Sequence, residues 1–251
     1  MNRLLLFGSV SIALVSMTAC TGPGRVAHGP PPLDPAPSQP TVVGRAVLPA
    51  DTFIEGPPSG RWLDPSELRG RAHPFPSQPV QGFSGVIAEP DGTLLALVDN
   101  GYGAIENSAD FHLRVYRMRA DYDAGVLEPL SFFELSDPDR KVPFAIVNAF
   151  SAARVLTGAD FDVEAFQRAP DGTYWFADEF GPFLLHTDAN GKVLEPPYPL
   201  PDIERGGELR SPQNPFLEEG SALRVLNAMR AHALGRGGQV PVVAPWHLLL
   251  A

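Results

Sequence analysis

The sequence predicts an all-β, β-propeller-like fold of short four-stranded blades, as a complete or an incomplete ring, followed by a C-terminal helix. Three observations carry that expectation. Proline (28) and glycine (24) are abundant among the 251 residues, as many short strands joined by tight turns require. Residues 157–195 read as a meander around Pro170-Asp-Gly-Thr: a strand from Asp162 to Gln167, a tight turn in which Gly172 takes positive φ, then strands from Tyr174 to Asp178 and from Phe183 to Thr187. An earlier stretch beginning at Ser84 repeats the pattern 80 residues upstream, with Pro90-Asp-Gly-Thr opposite Pro170-Asp-Gly-Thr, Asp99 opposite Glu179 and Gly101 opposite Gly181. A blade of four strands takes roughly 40–50 residues, so this offset is about two blades.

The chain in order supports that reading. Residues 1–20 form a lipoprotein signal peptide, with Arg3 as its positive region, Leu4 to Val15 as its apolar region and Met17-Thr-Ala-Cys20 at its end. Met17 is too large for ordinary secretory cleavage after Ala19, which favours cleavage before Cys20 and lipidation of its thiol. Cys20 is the one cysteine in the sequence, so an internal disulfide is excluded. The apolar run falls short of the ~20 residues a membrane-spanning helix needs. Residues 21–40, rich in proline and glycine, read as a disordered tether. The folded domain is expected over residues 41–251, opening with a short strand from Thr41 to Leu48, then loop from Asp51 to Pro79.

Gly82 to Asp99 is the first copy of the hairpin, and a polar, glycine-bearing loop follows it. Phe111-His-Leu-Arg-Val-Tyr-Arg-Met alternates as a strand, with His112 on its surface face. Asp121 to Gly125 reads as a turn and Val126 to Leu135 as a strand. The apolar segment Val142 to Leu156 fits a strand followed by a short helix without deciding it. Residues 220–251 break the pattern: Ser221 to Leu234 is amphipathic, with Ser221 able to cap its start and Gly235 placed to end it, and Val240-Pro-Val-Val-Ala reads as a strand.

The formal charge of −10 argues against nucleic acid, which needs a basic face to displace counterions. Acids and an amide gather near predicted strand ends: Asp99, Asn100, Asp160, Asp162, Glu164, Asp178 and Glu179. Hard cations take six to eight oxygen ligands and need neither His nor Cys, so this set predicts a calcium site. Asp99, Asn100, Asp160, Asp162 and Asp178 are the candidate ligands. Glu164 and Glu179 are the candidate catalytic residues, because acids between large apolar neighbours are poorly explained as solvated surface. For Asp99, Asp160, Asp162 and Asp178 a turn-shaping role stays open beside the ligand role. Asp91, Asp171 and Asp188 read as turn residues accepting backbone N–H bonds. Alternation puts Asp178 and Glu179 on opposite faces, so both serve one site only if the strand ends there, as Gly181-Pro182 allows.

In the order of the chain, Gly82-Phe-Ser-Gly-Val, Val98-Asp-Asn-Gly-Tyr-Gly, Asp160-Phe-Asp-Val-Glu-Ala-Phe and Trp175-Phe-Ala-Asp-Glu-Phe-Gly-Pro-Phe-Leu resemble the phytase-like family, described as "esterase-like activity of phytase". The likeness spans about Val42 to Asn214 and implies a secreted bacterial β-propeller. It further implies phosphomonoesters as substrates, while the family's label also admits carboxylic esters. The family continues into further blades, so the atypical 220–251 implies a C-terminally incomplete chain. A covalent serine mechanism is not favoured: Ser84 lacks a G-x-S-x-G elbow, and neither His73 nor His186 stands out as a base. The expectation is an extracytoplasmic monomer, held to the membrane by its lipid alone, that hydrolyses a small phosphate or carboxylic ester with the help of calcium. A non-catalytic propeller that binds a ligand or envelope partner, with calcium purely structural, is the alternative.

Overall fold

The structure, a computed structural model, describes residues 42–66 and 68–218. The expected signal peptide, Cys20, the tether and the atypical segment 220–251 with its helix lie outside the described residues. Ten strands occur within the unit that begins at Val43, and no helix is found among the described residues. They are β1 (Phe53–Ile54), β2 (Gln78–Pro79), β3 (Phe83–Ala88), β4 (Leu94–Val98), β5 (Arg114–Asp121), β6 (Val126–Glu134), β7 (Val163–Arg168), β8 (Tyr174–Asp178), β9 (Phe183–Thr187) and β10 (Tyr198–Pro199). Strands β3-β4-β5-β6 form one antiparallel meander and β7-β8-β9-β10 a second; β1 and β2 form a small pair. The first strands of the two meanders, β3 and β7, lie in contact.

Each meander is opened by the same turn. In the first, Glu89 N donates to Thr93 O at 2.8 Å and Gly92 N to Glu89 O at 3.0 Å; in the second, Ala169 N donates to Thr173 O at 2.9 Å and Gly172 N to Ala169 O at 3.0 Å. Asp91 and Asp171 complete these turns as expected, each carboxylate accepting the backbone N–H and hydroxyl of the threonine two residues on. Gly92 and Gly172 have φ of 80° and 87°, the left-handed region that glycine enters without strain. The two turns are tied together by Arg168, whose guanidinium meets Glu89 and the Tyr174 hydroxyl.

The two sheets bury their strands differently, and the sequences follow. Leu95, Leu97, Leu113 and Val115 of the first meander meet Val163, Phe166, Phe176, Phe183 and Leu185 of the second in one core. The opposite face of the first sheet is covered as well, with Ala96, Val98, Tyr116 and Met118 packed with Val80, Ile54 and Leu48. Buried on both faces, β4 is the unbroken apolar run Leu-Leu-Ala-Leu-Val. In β8 burial alternates: Tyr174, Phe176 and Asp178 are buried, Trp175 and Ala177 half-buried. The strand ends at Asp178, which is what lets Asp178 and Glu179 serve one end of the sheet.

Several local expectations are corrected. Residues 51–79 are not all loop, since Phe53 and Ile54 pair with Pro79 and Gln78. Of the expected strand Thr41–Leu48, only Val47 among the described residues bridges the sheet, pairing parallel with Val126, the first residue of β6. Segment 142–156 contains neither strand nor helix. It is held instead by buried Arg154, which donates to Asp137 Oδ2 at 2.9 Å and to the carbonyls of Asp137 and Ala149. His112 is not a surface residue: its Nδ1 lies 2.9 Å from Glu134 Oε1, beside buried Arg114, and the strand proper starts at Arg114.

Candidate cation site

The site grows from matching ends of the two hairpins. In each, the acid that follows the second strand donates its backbone N–H to the residue before the first strand: Asp99 N to Gly82 O at 2.8 Å, Glu179 N to Asp162 O at 2.9 Å. In each, the first strand also gains one residue over its partner at the same place. Phe83 pairs with Val98 and Gly85 with Leu97, leaving Ser84 between; Val163 pairs with Asp178 and Ala165 with Ala177, leaving Glu164 between. Such a bulge bends the strand and re-aims the extra side chain.

The outcome is a cluster of three carboxylates. Asp162, Glu164 and Glu179 each place one oxygen within 4.8 Å of the other two, with Glu179 exposed and its partners half-buried. Asp162 is further oriented from the first hairpin: the backbone N–H and the side-chain amide of Asn100 each donate to it at 3.2 Å. The Asn100 loop reaches that position because Gly158 has no side chain; a Cβ there would lie 1.9 Å from the Asn100 carbonyl oxygen. Asp99 stands close enough that its charge raises the carboxyls of Asp162 and Glu164, while one of its own oxygens accepts the Gly101 N–H at 2.7 Å.

Burial and mutual repulsion govern the electrostatics. Asp162 is pushed up to about 8, by burial first and then by the charges of Glu164, Asp99 and Glu179, against the Asn100 N–H. Glu164 is also raised by burial, with Glu179 and Asp99 adding to it and the Ser84 hydroxyl opposing. The better-buried cations of the described residues are committed elsewhere: Arg114 to Glu134, Arg154 to Asp137 and Arg168 to Glu89. What would relieve this cluster is a cation. Oxygens on one calcium ion lie about 2.3–2.6 Å from it and hence no more than about 5 Å apart, which these three donors satisfy.

The remaining expected site residues do other work. Asp160 is buried and its carboxylate is taken by protein donors: Val147 N at 2.7 Å on one oxygen, Thr157 N at 2.8 Å and Thr157 Oγ1 at 3.0 Å on the other. Asn100 turns its donors toward Asp162, and its Oδ1 accepts Gly103 N at 2.8 Å. Asp178, 2 % exposed, accepts Asp162 N at 2.8 Å and Gly181 N at 2.7 Å, and burial pushes it up to about 7 against these bonds. Ser84, not counted among the expected site residues, stands at the bulge that matches Glu164. The repeat itself carried that signal, since Ser84 and Glu164 are 80 residues apart. Among the described residues no histidine joins the cluster: His186 pairs with Glu195 at 2.6 Å and lies flat on Trp175, and His112 pairs with Glu134.

No curated protein and no solved structure matches the chain. A family model does, over residues 78–218, which is more than half of the chain and takes in both hairpins and every residue of the cluster. Its description, "Esterase-like activity of phytase", indicates a hydrolase-like function. The chain therefore belongs to the phytase-like family.

Proposed function

We propose that the protein is a calcium-assisted ester hydrolase acting on a small phosphate or carboxylic ester at the Asp162–Glu164–Glu179 cluster. One observation carries this reading: three carboxylates from one bulged hairpin converge within 4.8 Å, and burial together with their mutual repulsion holds Asp162 as high as about 8. Asp162 and Glu179 would hold the ion, with Asp99 adjoining and Glu164 beside it. When bound, calcium would polarise the ester oxygen and lower the cost of charge developing on it. Glu164, raised above the ordinary carboxylate range by burial first, is the candidate general base. It would accept a proton from the attacking water as the new oxygen bond forms, and return it to the departing alcohol oxygen as the ester bond breaks. Two four-stranded meanders whose first strands touch support a propeller-like arrangement with this cluster at one end. The lipobox ending at Cys20 supports an extracytoplasmic, lipid-anchored location.

The test is hydrolysis by the 251-residue chain of a panel of phosphomonoesters, phytate included, and short-chain carboxylic esters, first with calcium and then with EDTA. Turnover is expected with calcium, absent with EDTA, and lower by about 10²–10⁴ in Glu164→Gln. A folded, calcium-loaded protein with no turnover on any ester would overturn catalysis in favour of a binding role.

A further inference from the structure

The two hairpins solve one local problem in different ways, and the difference bears on the cluster. After each second strand the chain turns, and the amide of the turn glycine, Gly101 in the first hairpin and Gly181 in the second, points back toward the strand end. In the first hairpin that amide is capped by the acid after the strand, Asp99 Oδ1 accepting Gly101 N at 2.7 Å. In the second, the cap comes from one residue earlier: Asp178 Oδ2 accepts Gly181 N at 2.7 Å. The matching position in the first hairpin is Val98, wholly buried among apolar side chains.

Asp178 does a second thing with its other oxygen. Oδ1 accepts the N–H of Asp162 at 2.8 Å, while Asp162 O accepts the N–H of Glu179 at 2.9 Å. One buried carboxylate thus ties the backbone of Asp162 to the strand end, and Asp162 in turn holds the backbone of Glu179. We infer that Asp178 is a positioning residue for cation binding: it takes the turn-capping role that Asp99 has in the first hairpin and fixes the spacing of Asp162 and Glu179. This rests on the cation reading above and assigns Asp178 a role other than that of ligand. Residues of this kind around metal ligands typically cost about 10–100-fold in affinity when altered.

Calcium titration calorimetry on the 251-residue chain tests it, with Asp178→Asn compared against Asp137→Asn. Asp137 is an equally buried carboxylate that accepts two backbone amides, Lys141 N and Val142 N, and also pairs with Arg154, away from the cluster. Calcium affinity is expected to fall about 10–100-fold in Asp178→Asn and to stay within about twofold of wild type in Asp137→Asn. Equal binding by wild type and Asp178→Asn, or an equal loss in both variants, overturns the positioning role and leaves the cation reading standing. Absence of saturable uptake by wild type overturns the cation reading and this inference with it. Should Asp178→Asn fail to fold, amide exchange of the wild-type chain decides. Calcium should slow the Asp162 and Gly181 amides together and leave that of Thr93 unchanged; no slowing at Asp162 and Gly181 overturns the inference.

Discussion

The hairpins β3–β4 and β7–β8 share a turn, a register and a bulge, yet only the second builds a carboxylate cluster. Where the first has Gly82, Ser84, Val98 and Asp99, the second has Asp162, Glu164, Asp178 and Glu179. The backbone bonds that shape the two agree to within about 0.1 Å, as in the 2.8 and 2.9 Å links from Asp99 N to Gly82 O and from Glu179 N to Asp162 O. What presents a side chain at this end of the sheet is the bulge and the strand end. What gathers carboxylates at that end is the identity of four residues the backbone geometry does not require.

The widest difference between the hairpins lies in how they pack, and it yields the largest expected effect. Phe176 is wholly buried in β8, stacked at 5.8 Å on Phe166 and near Tyr174 at 6.2 Å, whereas its counterpart in the first hairpin is Ala96. Phe176→Ala should cost about 3–5 kcal/mol of stability, because the aromatic cluster around it cannot collapse to fill the space. Urea denaturation measures it. A loss below about 1 kcal/mol would mean that the second sheet does not rely on this face for its place in the core.

Much of this was legible in the sequence, and the limits have physical causes. Strands β8 and β9 fall where the alternation of Tyr174 to Asp178 and Phe183 to Thr187 puts them, and β7 within one residue of its expected start. Turn chemistry is local, so the roles of Asp91 and Asp171 could be read from Pro-Asp-Gly-Thr alone. The acids of the cluster were also visible, since Glu164 and Glu179 stand among apolar residues. Sorting the carboxylates was beyond it. Asp160 and Asp178 cap amides because Val147, Thr157, Asp162 and Gly181 come within reach, and the reach to Val147 and Asp162 is tertiary. The two-residue pair β1–β2 has too few residues to show a period, and segment 142–156 is apolar because it lines the core through Val142 and Ile146, not because it is regular.

The pH dependence of stability sharpens the comparison next. The folded chain holds protons on Asp162 up to about 8 and on Asp178 up to about 7, while the unfolded chain releases both near 3.8. Between those values the folded state binds more protons, so stability from these groups is full below about pH 4 and is lost as pH rises toward 8. Each unit of upward shift corresponds to about 1.4 kcal/mol where burial is complete and to less where solvent screens the group, so the decline across this range is readily measured. Gly82 and Val98, at the matching positions of the first hairpin, contribute nothing of the kind. Glu134 runs the other way: burial raises it, but bonds from His112 and Arg114 outweigh burial and leave it below 4.5. Its contribution is therefore present above about pH 4.5 and lost in acid. Urea midpoints at pH 5 and pH 8 should show the decline without calcium and its reversal when calcium is added at pH 8. A midpoint that rises from pH 5 to pH 8 in EDTA would break the account of the second hairpin.

The smallest expected effect tests what the hairpins share. Gly92 and Gly172 occupy the same turn position with φ of 80° and 87°, and a Cβ built on either would meet no atom within 4 Å. Substituting alanine therefore adds no clash and removes no contact; it forces an L residue into the left-handed region and narrows the freedom of the unfolded chain. The first cost is about 1–2 kcal/mol and the second an offset of at most about 1 kcal/mol, so a net loss of about 1 kcal/mol is expected at each site. The losses should be equal within about 0.3–0.5 kcal/mol, and additive in the double variant to the same margin, because the two turns share no direct partner at these positions. Unequal losses would mean that the hairpins differ in their backbone, and the chemical contrast between Asp99 and Glu179 would then have to be explained by geometry as well as by residue identity.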